Sequence, residues 1–180
     1  MRIRGFTLIE LLVSLAVAAI ILGIALPSYQ AMVMNSKITA QRDGLGNALR
    51  YARSIALSQN VNTEVCPVGA TNSTSCGNNW ASGWMVVLNP QGLATTNPAI
   101  PTSLLQSTQL VVGGATISSV NAVNQVYFDP RGMSSTAAEF KICDSRGSAY
   151  AYSMQVQVTG SVEIDTTAGA AVWGGNITCP

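Results

Sequence analysis

Few side chains in this sequence could do chemistry. Four cysteines, Cys66, Cys76, Cys143 and Cys179, could pair as disulfides or hold a metal. One carboxylate, Glu10, lies inside an otherwise apolar run, and three cations, Arg131, Lys141 and Arg146, fall close together in the last third. The chain has no histidine, which removes the commonest general base and metal ligand. Residues 65–128 contain no Asp, Glu, Lys or Arg, so that stretch offers no carboxylate, amine or guanidinium for proton transfer and no cation for a phosphate. No G-x-S-x-G nucleophile motif appears. These absences argue against an enzyme, and no cofactor is expected.

The cysteines are even in number and lack C-x-x-C spacing. Zinc would want close paired ligands or histidines, so no metal site is expected. Disulfides in an oxidising compartment account for the cysteines, with four reduced, buried thiols as the alternative. Among the connectivities, Cys66 with Cys76 and Cys143 with Cys179 close one local and one terminal loop. On the chain-entropy model these loops contribute roughly 3 and 4 kcal/mol.

The elements that must carry these residues begin with a membrane segment. Residues 6–26 read FTLIELLVSLAVAAIILGIAL, twenty-one residues with one charge. At roughly 1.5 Å of rise per residue, that length crosses a bilayer core. Arg2 and Arg4 precede it and no charge follows until Lys37, so the N-terminus is expected in the cytoplasm and the remainder outside. A secretory signal peptide cut near Gly23-Ile24-Ala25 is the alternative. Glu10 argues against it: a carboxylate in lipid costs roughly 2.5 to 3.5 kcal/mol or more, and a disposable segment has no use for one.

Helical spacing continues beyond Pro27, with Ile38, Leu45, Leu49, Ala52 and Ala56 on one face and Arg42, Arg50 and Arg53 on its flank. Gly44 and Gly46 weaken this helix locally, and Gly23 and Pro27 mark expected kink or melting points. After Gln59 the period shortens. Strands are expected at residues 61–65, 83–88, 110–112, 125–128, 139–143, 151–158 and 161–164, with Thr159-Gly160 as a hairpin turn. Residues 89–109, with Pro90, Pro98 and Pro101, read as a surface loop, and Trp80 and Trp84 as core anchors.

Gly5-Phe6-Thr7-Leu8-Ile9-Glu10 resembles the processing signal of type IV pilins and type II secretion pseudopilins. Three further segments, in order, resemble the FimT/GspH group of minor pilins and pseudopilins: residues 48–54 (ALRYARS), 82–86 (SGWMV) and 128–132 (FDPRG). The resemblance implies an α+β fold, with a long N-terminal helix packed on a small antiparallel β head. It divides the chain into a leader (1–5), a transmembrane and assembly helix (6–27), an amphipathic continuation (28–59) and a periplasmic or extracellular head (60–180). It also implies cleavage between Gly5 and Phe6 by a prepilin peptidase and N-methylation of Phe6. Glu10 is then expected to pair with the Phe6 amine of a neighbouring subunit.

The implied partners are other pilin or pseudopilin subunits, inner-membrane assembly machinery and, before assembly, membrane lipid. The implied location is the bacterial inner membrane, single-pass, and then a pilus or pseudopilus. The implied role is a structural subunit of a type IV pilus, or alternatively an H-type pseudopilin of a type II secretion system. Some FimT-like minor pilins bind DNA through Gly-Arg-x-Arg near the last hairpin. Here the comparable residues are Gly160-Ser161-Val162-Glu163, and seven basic residues balance seven acidic ones from Ser28 onward. DNA is therefore expected to be a weak partner, with Arg131, Lys141 and Arg146 as the best candidate contacts.

Overall fold

The computed structural model describes residues 7–69, 75–89, 104–109 and 114–179. It divides into two compact units, Met1–Ser36 and Lys37–Pro180.

The described part of the first unit is helical from Leu8 onward. Helix α1 runs over Leu8–Gln59 without a break at Gly23 or Pro27, so neither residue melts it. From Leu8 to Leu26 its large apolar side chains are exposed, Leu8 at 79% and Ile24 at 72%. An apolar surface of that extent has no place in water, and α1 is long and apolar enough to cross a membrane. Asn60 closes α1 in the left-handed region, with φ 54°, a conformation that Asn tolerates at a helix C-terminus.

The second unit buries the other half of α1. Ile38, Leu45, Leu49, Ala52 and Ala56, the stripe that helical spacing predicts, are all inaccessible, and so is Ala48 beside them. Against it lie strands β1 (Thr63–Pro67), β2 (Gly83–Leu88), β3 (Leu104–Gln109), β4 (Thr116–Ser119), β5 (Val126–Phe128), β6 (Ala138–Cys143), β7 (Tyr152–Val156) and β8 (Val162–Ile164). Among the described residues the head forms two four-stranded sheets, ordered β3-β2-β1-β5 and β4-β6-β7-β8, and every pairing there is antiparallel. Val65, Val86, Val126 and Phe128 from the first sheet share one apolar cluster with Ile117, Phe140, Ile142, Met154 and Val156 from the second and with the α1 stripe. Trp80 anchors it edge-on to Phe140 at 4.7 Å, while its indole N–H donates to the Val123 carbonyl at 2.8 Å.

Two strands differ from the sequence reading. Part of the expected loop at 89–109 is β3, an edge strand on β2. Leu104 and Leu105 point to opposite faces and pack in different clusters, as a period of two requires. The polar Gln-Ser-Thr-Gln that follows conceals the strand, because an edge needs backbone pairing more than apolar side chains. Strand β4 was not expected at all, since it buries only Ile117. The strand expected at 110–112 lies outside the described residues.

Gly44 and Gly46, expected only to weaken the helix, let the sheets come close. A Cβ on Gly44 would stand 3.1 Å from the Trp84 ring, and one on Gly46 would overlap the Ile164 side chain. The conformational cost of glycine in a helix is accepted here for a close approach of β2 and β8.

Candidate functional site

Three constellations hold the side chains singled out in the sequence. The first is the start of α1. Thr7 is the helix N-cap: its hydroxyl accepts from the Glu10 backbone N–H, while the Thr7 N–H and hydroxyl donate to Glu10 Oε2, each at 3.3 Å. This is a capping box, which satisfies helix donors that otherwise lack partners. Thr-x-x-Glu is its sequence signature and was legible beside the processing signal. Within one chain the Glu10 carboxylate therefore already has a partner. Gly5 and Phe6 lie outside the described residues.

The second constellation is the set of cations proposed for DNA. Each is engaged inside the head. Arg131 Nε donates to Asp129 Oδ2 at 3.2 Å, although its side chain remains 82% exposed. Arg146 pairs with Asp144 at 2.6 Å, with both side chains largely buried, and lies over the Tyr150 ring at 4.3 Å. Lys141 Nζ donates to the Thr178 carbonyl at 2.7 Å. Burial raises Asp129 somewhat, but backbone N–H groups of Met133 and Arg131 and the Arg131 guanidinium outweigh it and lower the pKa from the ordinary carboxylate value. The spacing carried the signal: Asp129-x-Arg131 and Asp144-x-Arg146 each place an acceptor two residues before a cation.

Helix α1 contributes the remaining basic flank. Arg42 pairs with Asp43 at 2.8 Å and lies over the Tyr152 ring at 4.6 Å. Arg53 donates to the carbonyls of Gly132 at 3.0 Å and Thr159 at 3.2 Å, fastening the helix to the turn after β5 and the turn between β7 and β8. That second turn closes as expected, with the Gly160 N–H donating to the Gln157 carbonyl at 2.8 Å and Gly160 at φ 76°. Arg50, Arg53 and Ser161 line one shallow groove between α1 and this hairpin. Ser161 stands where the DNA-binding motif would place arginine, and Glu163 accepts from Gln157 Nε2 at 2.7 Å.

The third constellation is built on the cysteines. Cys66 is bonded to Cys76 and Cys143 to Cys179, with Cα–Cα separations of 5.6 and 5.9 Å. The second bridge ties the terminal segment to β6 within a small cluster that includes Ala151, Ala171 and Ile177. Beside the first lies a residue that sequence reasoning missed. Glu64 is fully buried on the face of β1 turned away from α1, where Oε2 accepts from Asn89 Nδ2 at 3.1 Å. Desolvation, only partly offset by that hydrogen bond, pushes its pKa up to about 7. The sulfurs near it are committed to a disulfide, so they are not free metal ligands.

Two family models match this chain. The prokaryotic N-terminal methylation motif covers residues 1–26. Type II transport protein GspH covers residues 42–161, from α1 through the turn before β8. The chain belongs to the GspH family. Two crystal forms of the Pseudomonas aeruginosa type IV minor pilin FimU share the fold of this GspH-family chain, with TM-scores of 0.53 and 0.55 at 19% and 20% identity. The matches cover 71% and 72% of this chain and 91% and 89% of the FimU chains. No curated protein matches. The GspH-type fold is thus a long apolar helix carrying two small antiparallel sheets, in a family of structural pilins and pseudopilins rather than enzymes.

Proposed function

We propose that this chain is a minor subunit that enters, or primes assembly of, a type IV pilus through its N-terminal helix. The observation that carries the reading is a methylation motif continuous with an apolar helix surface, on a head that offers no catalytic constellation among its described residues. A prepilin peptidase cuts after Gly5 and Phe6 is N-methylated. The subunit then waits in the inner membrane with its head in the periplasm. On extraction, Glu10 exchanges its Thr7 contacts for the Phe6 amine of a neighbour, because a charge pair in lipid costs less than two separate charges. The apolar helices bundle against one another as they leave the bilayer. Assembly machinery drives this process, and the chain supplies the recognition.

Intact mass of protein extracted from membranes tests the processing step. The expected species begins at monomethylated Phe6. A mature chain beginning near Leu26 would show an ordinary signal peptide and end this reading. The GspH match favours a second use, in the pseudopilus of a type II secretion system. Deleting the gene then abolishes secretion of exoproteins and leaves surface pili intact, whereas the pilus reading expects the converse.

DNA fits neither use. Arg131, Arg146 and Lys141 are engaged by Asp129, Asp144 and the Thr178 carbonyl, and Arg53 is held by two carbonyls. Counterion release needs several cations presented together, and among the described residues Lys37, Arg50 and Arg131 are the ones left exposed. In an anisotropy titration near physiological salt, the expected affinity is no better than roughly 10⁻⁴ to 10⁻⁶ M. Submicromolar binding lost on Arg131→Ala would make the chain a DNA receptor instead.

A further inference from the structure

The Cys66–Cys76 bridge and Glu64 form a group in the head, apart from the apolar N-terminal helix. The Glu64 carboxylate oxygen and both sulfurs lie within 4.8 Å of one another, and Glu64 Oε1 is 3.7 Å from Cys76 Sγ. The other carboxylate oxygen is fixed by the Asn89 amide, so Oε1 is aimed at the sulfurs. Strand β1 imposes this arrangement. Residues 64 and 66 share one face of the strand, the face that also packs Met85 and Val87, while Thr63 and Val65 face α1. A structural disulfide has no need of a buried carboxylate at van der Waals distance, and burying one is costly.

We propose that Glu64 is the proton acceptor for closure of the Cys66–Cys76 disulfide. The sulfurs differ in access, since Cys66 is fully buried and Cys76 is partly exposed. An external disulfide, R–S–S–R, therefore reacts first at Cys76, forming Cys76–S–S–R and releasing one RSH. The Cys66 thiol must then become a thiolate, because the thiol itself is a poor nucleophile. Its proton passes to the Glu64 carboxylate. The Cys66 thiolate attacks Cys76 Sγ, the Cys76–S–R bond breaks, and RS⁻ leaves to take a proton. Two electrons move from the two cysteine sulfurs to R–S–S–R, which ends as two RSH. Without Glu64 the same proton must reach water from a fully buried site.

The surroundings suit the role. A carboxyl with a pKa of about 7 is ionised enough to accept a proton at neutral pH and basic enough to hold it. Residues 65–128 contribute no acidic or basic side chain to this face apart from the two cysteines and Tyr127, which stands opposite Glu64 on β5. Tyr127 is itself raised, by burial first and then by the charges of Glu64 and Asp129, so it stays neutral through the range that matters. On β2 the residue opposite Glu64 is Val87, and no cation competes for the carboxylate among the described residues.

The test is the rate of closure in the full chain in detergent micelles. The protein is first reduced under native conditions with a dithiol and then treated with oxidised glutathione. Quenching by alkylation and peptide mapping follow the two bridges separately. Cys143–Cys179 is the internal reference, because the neighbouring Asp144 carboxylate is already paired with Arg146. The closure rate of Cys66–Cys76 relative to the reference is expected to rise through pH about 7. Glu64→Gln keeps the shape and the hydrogen bond to Asn89 but removes the base. It is expected to slow Cys66–Cys76 about tenfold at neutral pH, less than a general base can give because a free thiol is already slightly ionised there, and to leave the reference unchanged. Equal rates and parallel profiles in parent and variant overturn the proposal. If the variant does not fold, the parent profile decides alone: a rate ratio flat from about pH 5.5 to 8.5 overturns it.

Discussion

Gly160→Ala is expected to destabilise the head by about 3 kcal/mol or more, while Gly147→Ala costs only about 1. Both glycines have positive φ, 76° and 84°, so both substitutions carry the strain of a left-handed residue. They differ in their surroundings. A Cβ on Gly147 meets open space, whereas one on Gly160 overlaps the Gly132 carbonyl and comes within 3.0 Å of Arg53 Nε. Backbone on both sides must then move, and the Arg53 bonds that fasten α1 to the two turns are lost with it. Thermal unfolding checks this: at roughly 2 to 4 °C per kcal/mol for a domain of this size, the Gly160 variant should melt about 10 °C below the parent. Similar losses from the two variants would mean that Arg53 and the two turns do not hold the helix.

The second large effect depends on pH and belongs to Glu64. Its folded pKa is about 7 against an ordinary value of 4.5, so between these values the folded state holds a proton that the unfolded state has released. Stability contributed by this group is therefore greatest below pH 4.5, falls as pH rises, and reaches its minimum above pH 7. At about 1.4 kcal/mol per unit, the whole fall is about 3 kcal/mol. Asp129 works in the other direction, losing stability only as pH falls through its lowered folded value, so the two effects occupy separate windows. Chemical unfolding at pH 5 and pH 8 should show the parent weaker at pH 8. Glu64→Gln should be about as stable as the parent at pH 5, more stable at pH 8, and nearly level between them. A variant that keeps the parent's slope would place the titrating group elsewhere.

What the sequence disclosed follows from how local each signal is. Lipid needs only a long apolar run, so residues 6–26 could be read without knowledge of the head. The buried stripe from Ile38 to Ala56 follows from helical spacing alone, and β7 was legible from Tyr152, Met154 and Val156 ahead of a recognisable turn, although Ser153 between them is buried and Val158 beyond them is exposed. Strand β3 was hidden because its apolar content is two adjacent leucines that serve opposite faces. Glu64 was hidden for a different reason. Its burial depends on β2, β5 and Asn89 closing around it, and only pairing across the sheet reveals that residues 64, 66 and 76 meet. The basic candidates were visible as cations but not as neutralised ones, although an aspartate stands two residues before Arg131 and before Arg146. Arg53, Gly132 and Gly160 lie in or beside separate short signals that proved to be one contact.

The central claim, that this chain becomes a filament subunit through its N-terminus, is tested most directly by recovering sheared surface filaments from cells producing the parent or Glu10→Ala. The variant segment is more apolar and still inserts, so membrane levels should match. The account predicts that the parent chain is present in the filaments with methylated Phe6 at its start, and that Glu10→Ala remains in the membrane with its level in filaments reduced about tenfold or more, as expected when a charge pair worth at least about 1.4 kcal/mol in lipid is lost. Equal incorporation of Glu10→Ala would contradict the assembly mechanism, and absence of the parent chain from abundant filaments would contradict the claim itself.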